Sequence, residues 1–221
     1  MKELVIFGVG DASELANYYF NNDSDYKVVA FTVDEAYMPD SGDFCGLPVV
    51  PYEELLASHP PALFEIFVAL GYSNVNENRR QLFQSAKDKG YRLASYLSSH
   101  ATILNDNAIG ENCFILEDNT IQPFVTIGDN VTLWSGNHIG HHTTIANHCF
   151  LASHIVVSGR VTIKEGCFVG VNATFRDHIT IGEKCVIGAG ALLLGDVEAE
   201  GVYVGAKTER ARIPSSKLRK I

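Results

Sequence analysis

Positive charge is scarce in this chain: 17 Lys and Arg face 26 Asp and Glu, a formal net charge of −9 over 221 residues. Phosphate backbones are bound by clustered Lys and Arg, so nucleic acid is excluded as the main partner. No apolar stretch reaches the length of a transmembrane span, which argues against membrane insertion. The start, MKELVIFGVG, lacks the basic leader and long apolar core of a signal peptide. A cytoplasmic location is therefore expected, with the five cysteines reduced. What is present, 46% hydrophobic and 19% charged, suits one large domain or two small ones with a real core.

Residues 1–96 alternate strand and helix signals. KELVIFG is a short apolar run ending in glycine, and DASELANYYF reads as a helix opened by Asp11 or Ser13. YKVVAFTVD and ALFEIFVALG read as buried strands, LPVVPYEELLAS as an extended turn with a short helix, and NVNENRRQLFQSAKDKG as a long helix. Such alternation with continuous apolar strands predicts a small parallel α/β sheet, Rossmann-like, whose ligands sit at the strands' carboxyl ends.

From residue 97 to about 198 the grammar changes. Every sixth residue is apolar, from Leu97, Ile103 and Ile109 through Phe175 to Ile187 and Leu193, seventeen positions without a gap. Glycine often follows, as at Gly110, Gly128 and Gly140, and four places on comes a small residue such as Cys113, Thr143, Cys149 or Ala173. Neither a helix nor a hairpin sheet has this period; a parallel β-helix of hexapeptide repeats does. Three hexapeptides close one triangular coil, so residues eighteen apart should stack about 4.8 Å apart. Thr126, Thr144, Thr162 and Thr180 then form one column. Cys149, Cys167 and Cys185 form another, as small fillers of a tight corner, and His142, Arg160, His178 and Asp196 an outward one. Residues 199–221 read as a basic tail.

Five of the eight histidines fall within 137–154, in NHIGHHTTIANHCFLASH. His142, His148 and His154 occupy the same place in successive hexapeptides, hence three different faces of the prism, so one subunit cannot bring them to a single metal; a site shared between subunits is the alternative, and no metal is expected. His141 has Gly159 one coil above it, an imidazole beside a backbone N–H that no side chain covers. That is the minimum equipment for acyl transfer, although periodicity alone favours reading His141 as a solvated turn residue.

VIFGVGD at the start, NHIGHHTTI and GRVTIKEGCFVGVNATF in the coils, and GVYVGAK near the end make the chain resemble a bacterial family of sugar-nucleotide acyltransferases. Its members carry a nucleotide-binding α/β domain before a left-handed β-helix, work as homotrimers, and N-acetylate nucleotide-linked amino-deoxy sugars such as bacillosamine, perosamine and viosamine. Relatives include sialic acid O-acetyltransferases.

The resemblance implies a fold and a chemistry. His141 would be the general base toward the sugar amine, Gly159 would offer its N–H to the thioester of acetyl-coenzyme A, and the coenzyme would lie between subunits against Val171, Ala189 and Lys207. Gly8, Gly10 and Asp11 would face the diphosphate of the nucleotide sugar, Asp34 the ribose or base, and Gly71, Tyr72 and Arg79 the opposite wall, though each also suits a plain loop. Ser13 stands where a dinucleotide fingerprint wants a third glycine. Two sites depart from the family pattern: His142, counted with His141 in the catalytic set, replaces the Glu or Asp that usually follows the base, so His141 needs another orienter or is a weaker base, and Phe150 stands where one relative has a second histidine. GAKTERAR also lacks the usual proline, while Lys207, Arg210 and Arg212 could still meet coenzyme A phosphates. The expected activity is N-acetyl transfer in surface-glycan synthesis, with a sugar O-acetyltransferase or a non-catalytic nucleotide-sugar-binding trimer as the alternatives.

Overall fold

The computed structural model describes residues 2–104 and 107–217; Met1 and the last four residues of the expected tail lie outside the described residues. The first strands are β1 (Lys2–Phe7), β2 (Tyr26–Val33), β3 (Asp43–Phe44), β4 (Leu47–Pro51) and β5 (Phe64–Val68), with α1 (Asp11–Asn22), α2 (Leu55–Ser58) and α3 (Glu77–Asp88) between or after them. They form one sheet in the order β3-β4-β2-β1-β5. β4, β2, β1 and β5 are parallel, and their apolar runs are buried on both faces, as helix-covered parallel strands must be. The sheet is mixed rather than all parallel. β3 turns back antiparallel on β4, and a two-residue strand between Gly42 and Gly46 leaves no periodic signal in the sequence.

The helix α1 also opens differently from the expectation. Gly10 is its N-cap, and neither Asp11 nor Ser13 caps it through a side chain. Ser13 is instead buried, its hydroxyl donating to the Ala69 carbonyl at 3.3 Å. A Cβ at Gly8 would come within 2.3 Å of that hydroxyl, and Gly8 has φ +122°, so only glycine fits this turn.

Leu93 still bridges to Ile66 of β5, while Tyr96–Leu97 already pairs with Phe114–Ile115. From there the chain winds as a left-handed parallel β-helix with three sheets of two-residue strands. Thr126, Thr144, Thr162 and Thr180 are in register, and Ile115 through Leu193 at six-residue intervals point into the core. Cys113, Val131, Cys149, Cys167 and Cys185 are completely buried at one corner. Each of those thiols reaches a backbone carbonyl, as Cys167 does with Gly182 at 3.0 Å.

The three corners are built from residues in the left-handed backbone region. Asn112, Asn130, His148 and Lys184 mark the first corner, Asp118, His154 and Asn172 the second, and Phe124, His142, Arg160 and His178 the third. The eighteen-residue register holds up the third corner to His178: Arg160 N–H donates to the His141 carbonyl and His178 N–H to that of Gly159. It then fails for Asp196. The last turn is shorter, with Ile181 opposite Val197 and Val186 opposite Val202, a spacing of 16 residues. Asp196 therefore accepts from the Thr180 N–H at 2.7 Å instead of standing over His178. Val202–Tyr203, inside the stretch expected as tail, adds a seventh strand to its sheet.

The two halves share a core. Leu4, Ile6, Phe20 and Phe67 of the α/β part pack with Tyr96, Phe114 and Leu116 on the outer face of the sheet that starts at Tyr96. Burying rings such as Phe20 and Phe114 contributes about 2 kcal/mol each, so the coil and the α/β part stabilise one another. Asp23, at the end of α1, accepts from the Ser99 N–H at 2.9 Å and the Tyr96 hydroxyl at 2.6 Å; bonding from Ser99 first and Tyr96 next, against desolvation, holds its carboxyl down at about 2.

Candidate active site

The third corner carries His141 and His142. Both rings are exposed, and the backbone is fixed at this turn. His141 N–H donates to Gln122 Oε1 at 2.9 Å, its carbonyl accepts from Arg160, and His142 is left-handed with φ 59°. The His141 ring lies directly against Gly159. A Cβ built on Gly159 would sit 2.7 Å from Cε1 and 2.8 Å from Nε2, so a methyl group would occupy the space of the imidazole. Among the described residues no group accepts from the Gly159 N–H. At the first corner the N–H groups in the matching place of the repeat are covered by side chains, Glu111 by Asp129 and Asp129 by Asn147, and at the third corner one coil below, that of His141 is taken by Gln122. Asp177, the residue above Gly159, turns instead to His178 at 2.9 Å. The corner thus presents an imidazole and a free backbone donor side by side.

The other histidines of the cluster go elsewhere. His148 is buried at the first corner, its Nδ1 2.9 Å from Asn130 Nδ2 and its ring edge-on to Phe83, and burial lowers its proton affinity. His154 lies at the second corner against Gly136. Among the described residues no three His, Cys, Asp or Glu side chains are grouped to hold a metal ion. The inward cysteines are poor nucleophiles, since burial raises Cys113 to about 11.

The α/β part offers a cleft of about 590 Å³ at the strands' carboxyl ends, lined by Gly8, Gly10, Asp34, Tyr37 and Asn78 among others. Gly10 faces open space, and desolvation, then the charge of Glu53, raises the Asp34 carboxyl. Leu70 joins this cleft to a second, of about 270 Å³, between the two halves of the chain. Asp11, Gly71 and Tyr72 line that one with Trp134 and Phe150. The Tyr72 ring rests on Phe150 at 5.0 Å and Phe168 at 4.6 Å, so Phe150 belongs to an aromatic ladder far from the His141 corner. The first turn of α1 separates the two clefts, where uncapped N–H groups favour anions.

Arg79 is not part of either wall, and its assignment to ligand binding is corrected. Its side chain is fully buried, and it donates to the Asn130 carbonyl and the Thr132 hydroxyl, each at 2.8 Å, and to Asn76 Oδ1 at 3.2 Å. It docks α3 onto the coil. An arginine in a polar helical stretch looks like a surface residue, and only the packing of α3 on the first corner buries it.

The structure does not gather the remaining residues in one chain. Val171 and Ala189 stack at the second corner, preceding Asn172 and Gly190, whereas His141 and Gly159 are at the third. Gly205 rather than Lys207 reaches Ala189, since its Cβ would lie 2.0 Å from the Ala189 carbonyl oxygen, and Lys207 is exposed beyond it. The third corner joins the two sheets that the α/β part does not cover, so His141 faces away from both clefts. Gln122 and Phe124, which support the histidine pair, were missed by sequence reasoning. The eighteen-residue spacing from Phe124 to His142 would have found the second of them.

Residues 108–141 and 160–195 match the family described as bacterial transferase hexapeptide (six repeats). Repeat and architecture together define a hexapeptide-repeat protein with a left-handed β-helix behind a small α/β domain. Several solved structures share this fold. A mutant of perosamine N-acetyltransferase from Caulobacter crescentus, in complex with CoA and GDP-perosamine, is 24% identical over 93% of this chain and 94% of that one, with a TM-score of 0.84. The acetyltransferase domain of PglB from Neisseria gonorrhoeae is 23% identical over 89% and 93%, with a TM-score of 0.76. WeeI from Acinetobacter baumannii is 19% identical over 93% and 97%, with a TM-score of 0.77. No curated protein matched the chain. Among the described residues no helix is long and apolar enough to cross a membrane.

Proposed function

We propose that the protein is an acyl-coenzyme A-dependent acyltransferase, with acetyl-coenzyme A as donor and the amino group of a nucleotide-linked amino-deoxy sugar as acceptor. The observation that carries this reading is the His141 ring against Gly159, with the glycine's N–H free beside it. A base within reach of an amine and a donor aimed at the same reacting centre are what direct acyl transfer needs. The amine nitrogen would attack the thioester carbonyl carbon while His141 Nε2 takes its proton. The Gly159 N–H would hold the charge that develops on the carbonyl oxygen, and the C–S bond would then break to release coenzyme A.

The nucleotide would occupy the cleft lined by Gly8, Gly10 and Asp34, with its diphosphate at the start of α1, and Asp11, Gly71 and Tyr72 would receive the rest of the ligand in the adjoining cleft. Because His141 faces away from that cleft within one chain, the site is complete only if a second copy supplies the corner. A homotrimer, closed about a threefold axis, supplies it three times. Val171, Ala189 and Lys207 would then border coenzyme A across the subunit boundary. The perosamine enzyme's complex with CoA and GDP-perosamine supports this choice of substrates.

The test is direct. Purified protein is incubated with acetyl-coenzyme A and a panel of UDP-, GDP- and dTDP-linked 4-amino sugars and their hydroxyl counterparts, and free thiol release and product mass are followed. N-acetylated product from one amino sugar is the expected result. Thiol release only with hydroxyl sugars, or none at all, refutes the reading, as does a sedimentation mass of one or two chains at micromolar concentration.

A further inference from the structure

At the turn of the third corner the two imidazoles meet edge to face, with His141 Nδ1 3.0 Å from His142 Nδ1 and the ring planes at 90°. One nitrogen in such a contact donates and the other accepts. We infer that His142 is the positioning residue for His141: its Nδ1 accepts the His141 Nδ1–H and leaves the lone pair of His141 Nε2 beside Gly159. The inference rests on the reading of His141 as the base, and it names what sets that base's tautomer.

The surroundings of His142 hold its ring and fix the direction of the bond. Its backbone N–H donates to the Pro123 carbonyl at 3.3 Å, and its ring tilts over Phe124 at a centroid distance of 4.7 Å. Phe124, exposed and itself left-handed one coil below, has its ring engaged with His142. Among the described residues, the charged or titratable groups facing His142 are His141 and Arg160, and Arg160 stands one coil above it in the same column. Desolvation, then the Arg160 charge and His141, lower its proton affinity below that of an ordinary histidine. A His142 so disfavoured as a cation keeps its Nδ1 as an acceptor toward His141. As the amine proton arrives at His141 Nε2, the imidazolium still donates Nδ1–H to a neutral His142, so no carboxylate is needed to orient the ring or to accept that bond.

The reverse arrangement, with His142 donating, would put the only free proton of His141 on Nε2 and leave it unable to act as a base. The two arrangements differ in a measurable way. In protein labelled with nitrogen-15 at histidine, long-range nitrogen–carbon-bound-proton correlations report which ring nitrogen of His141 carries hydrogen at pH 7.5. His142→Phe keeps the aromatic contact with Phe124 and suits a corner where Phe124 already holds the same backbone geometry, but it cannot accept a hydrogen bond. His142→Asp restores an acceptor, at a corner geometry that Asp118 shows is available to aspartate.

The Nδ1–H tautomer of His141 is expected in the unchanged protein, mixed tautomers in His142→Phe, and Nδ1–H again in His142→Asp. With substrates, kcat should fall about tenfold or more in His142→Phe, with Michaelis constants within about twofold, and recover in His142→Asp. A pure Nε2–H tautomer in the unchanged protein, or tautomer and kcat both unaffected in His142→Phe, overturns the inference. The nitrogen-15 result does not depend on turnover. An Nδ1–H tautomer that is lost in His142→Phe, in a protein inactive toward every acyl acceptor tried, would uphold the pairing and refute the acyltransferase reading alone.

Discussion

Arg79 of α3 donates to the Thr132 hydroxyl of the coil at 2.8 Å, and no carboxylate neutralises it among the described residues. The guanidinium is buried, and burial lowers it to about 10, which leaves it charged near neutral pH. Backbone carbonyls of Asn130 and Cys149 and the amide of Asn76 take up its donors, while Nε has no partner among the described residues. Removing it strands several buried acceptors at once, at 1–3 kcal/mol each by the usual cost of an unmet buried hydrogen bond, so Arg79→Ala should cost about 3 kcal/mol in all. Urea unfolding measures this. Binding of nucleotide sugar to the folded variant should stay within about threefold, because Arg79 touches neither cleft.

His141→Asn should preserve the fold, since the ring is exposed and only the backbone of His141 holds the turn. If His141 is the base, turnover falls by about two to four orders of magnitude while the Michaelis constants move far less. Steady-state kinetics on the productive sugar decide it, and near-normal turnover would place the base elsewhere.

Gly159→Ala separates geometry from chemistry. Gly159 does not have a left-handed backbone, so alanine is tolerated conformationally, yet its methyl would meet the His141 ring at 2.7 Å. The imidazole must swing away, and if Gly159 receives the thioester the space for it narrows. The variant should keep its unfolding midpoint while kcat/KM for acetyl-coenzyme A drops by about a hundredfold, a loss of about 2.7 kcal/mol in transition-state binding. Gly159→Val should be worse.

The stability of the fold should depend on pH through His148. Burial, outweighing Glu165 and Asp129 and helped by Arg80 and Arg79, depresses its folded pKa below the ordinary 6.5. A group depressed in the fold binds a proton first in the unfolded chain. Its contribution is therefore complete above pH 6.5 and is lost as pH falls from there toward the folded value. His59 and His142 act in the same direction, so the informative quantity is a difference. Between pH 7.5 and 5 the unfolding free energy of His148→Asn should fall less steeply than that of the unchanged protein, as measured by urea titration at each pH.

Side-chain periodicity is a local property of the backbone, and that is why residues 97–193 could be read so fully. A six-residue repeat repeats the same dihedral angles, so Ile115, Ile145 and Cys167 had to point inward, and His142 had to share a corner with Arg160 and His178. The juxtaposition of His141 with Gly159 followed from arithmetic alone. Where the repeat ended, the arithmetic ended too: two residues fewer in the last coil moved Asp196 from His178 to Thr180.

Contacts between distant parts of the chain left no such trace. Whether Arg79 faces a ligand or the coil depends on how α3 packs on Asn130 and Thr132, and a polar helix reads the same in either case. Ser13 could fill the place of a glycine because Ala69 supplied an acceptor for its hydroxyl. The angle between two adjacent imidazoles is likewise invisible in the letters His-His; the winding of the coil brings Phe124 against the His142 ring and Gln122 to the His141 backbone. The sequence by itself determined the coil, its register and the pairing of His141 with Gly159, because each follows from short-range repetition. Tertiary structure alone decided which polar side chains were buried, which clefts stayed open and how His141 was oriented, because burial and hydrogen bonding are fixed only when segments far apart in the chain meet.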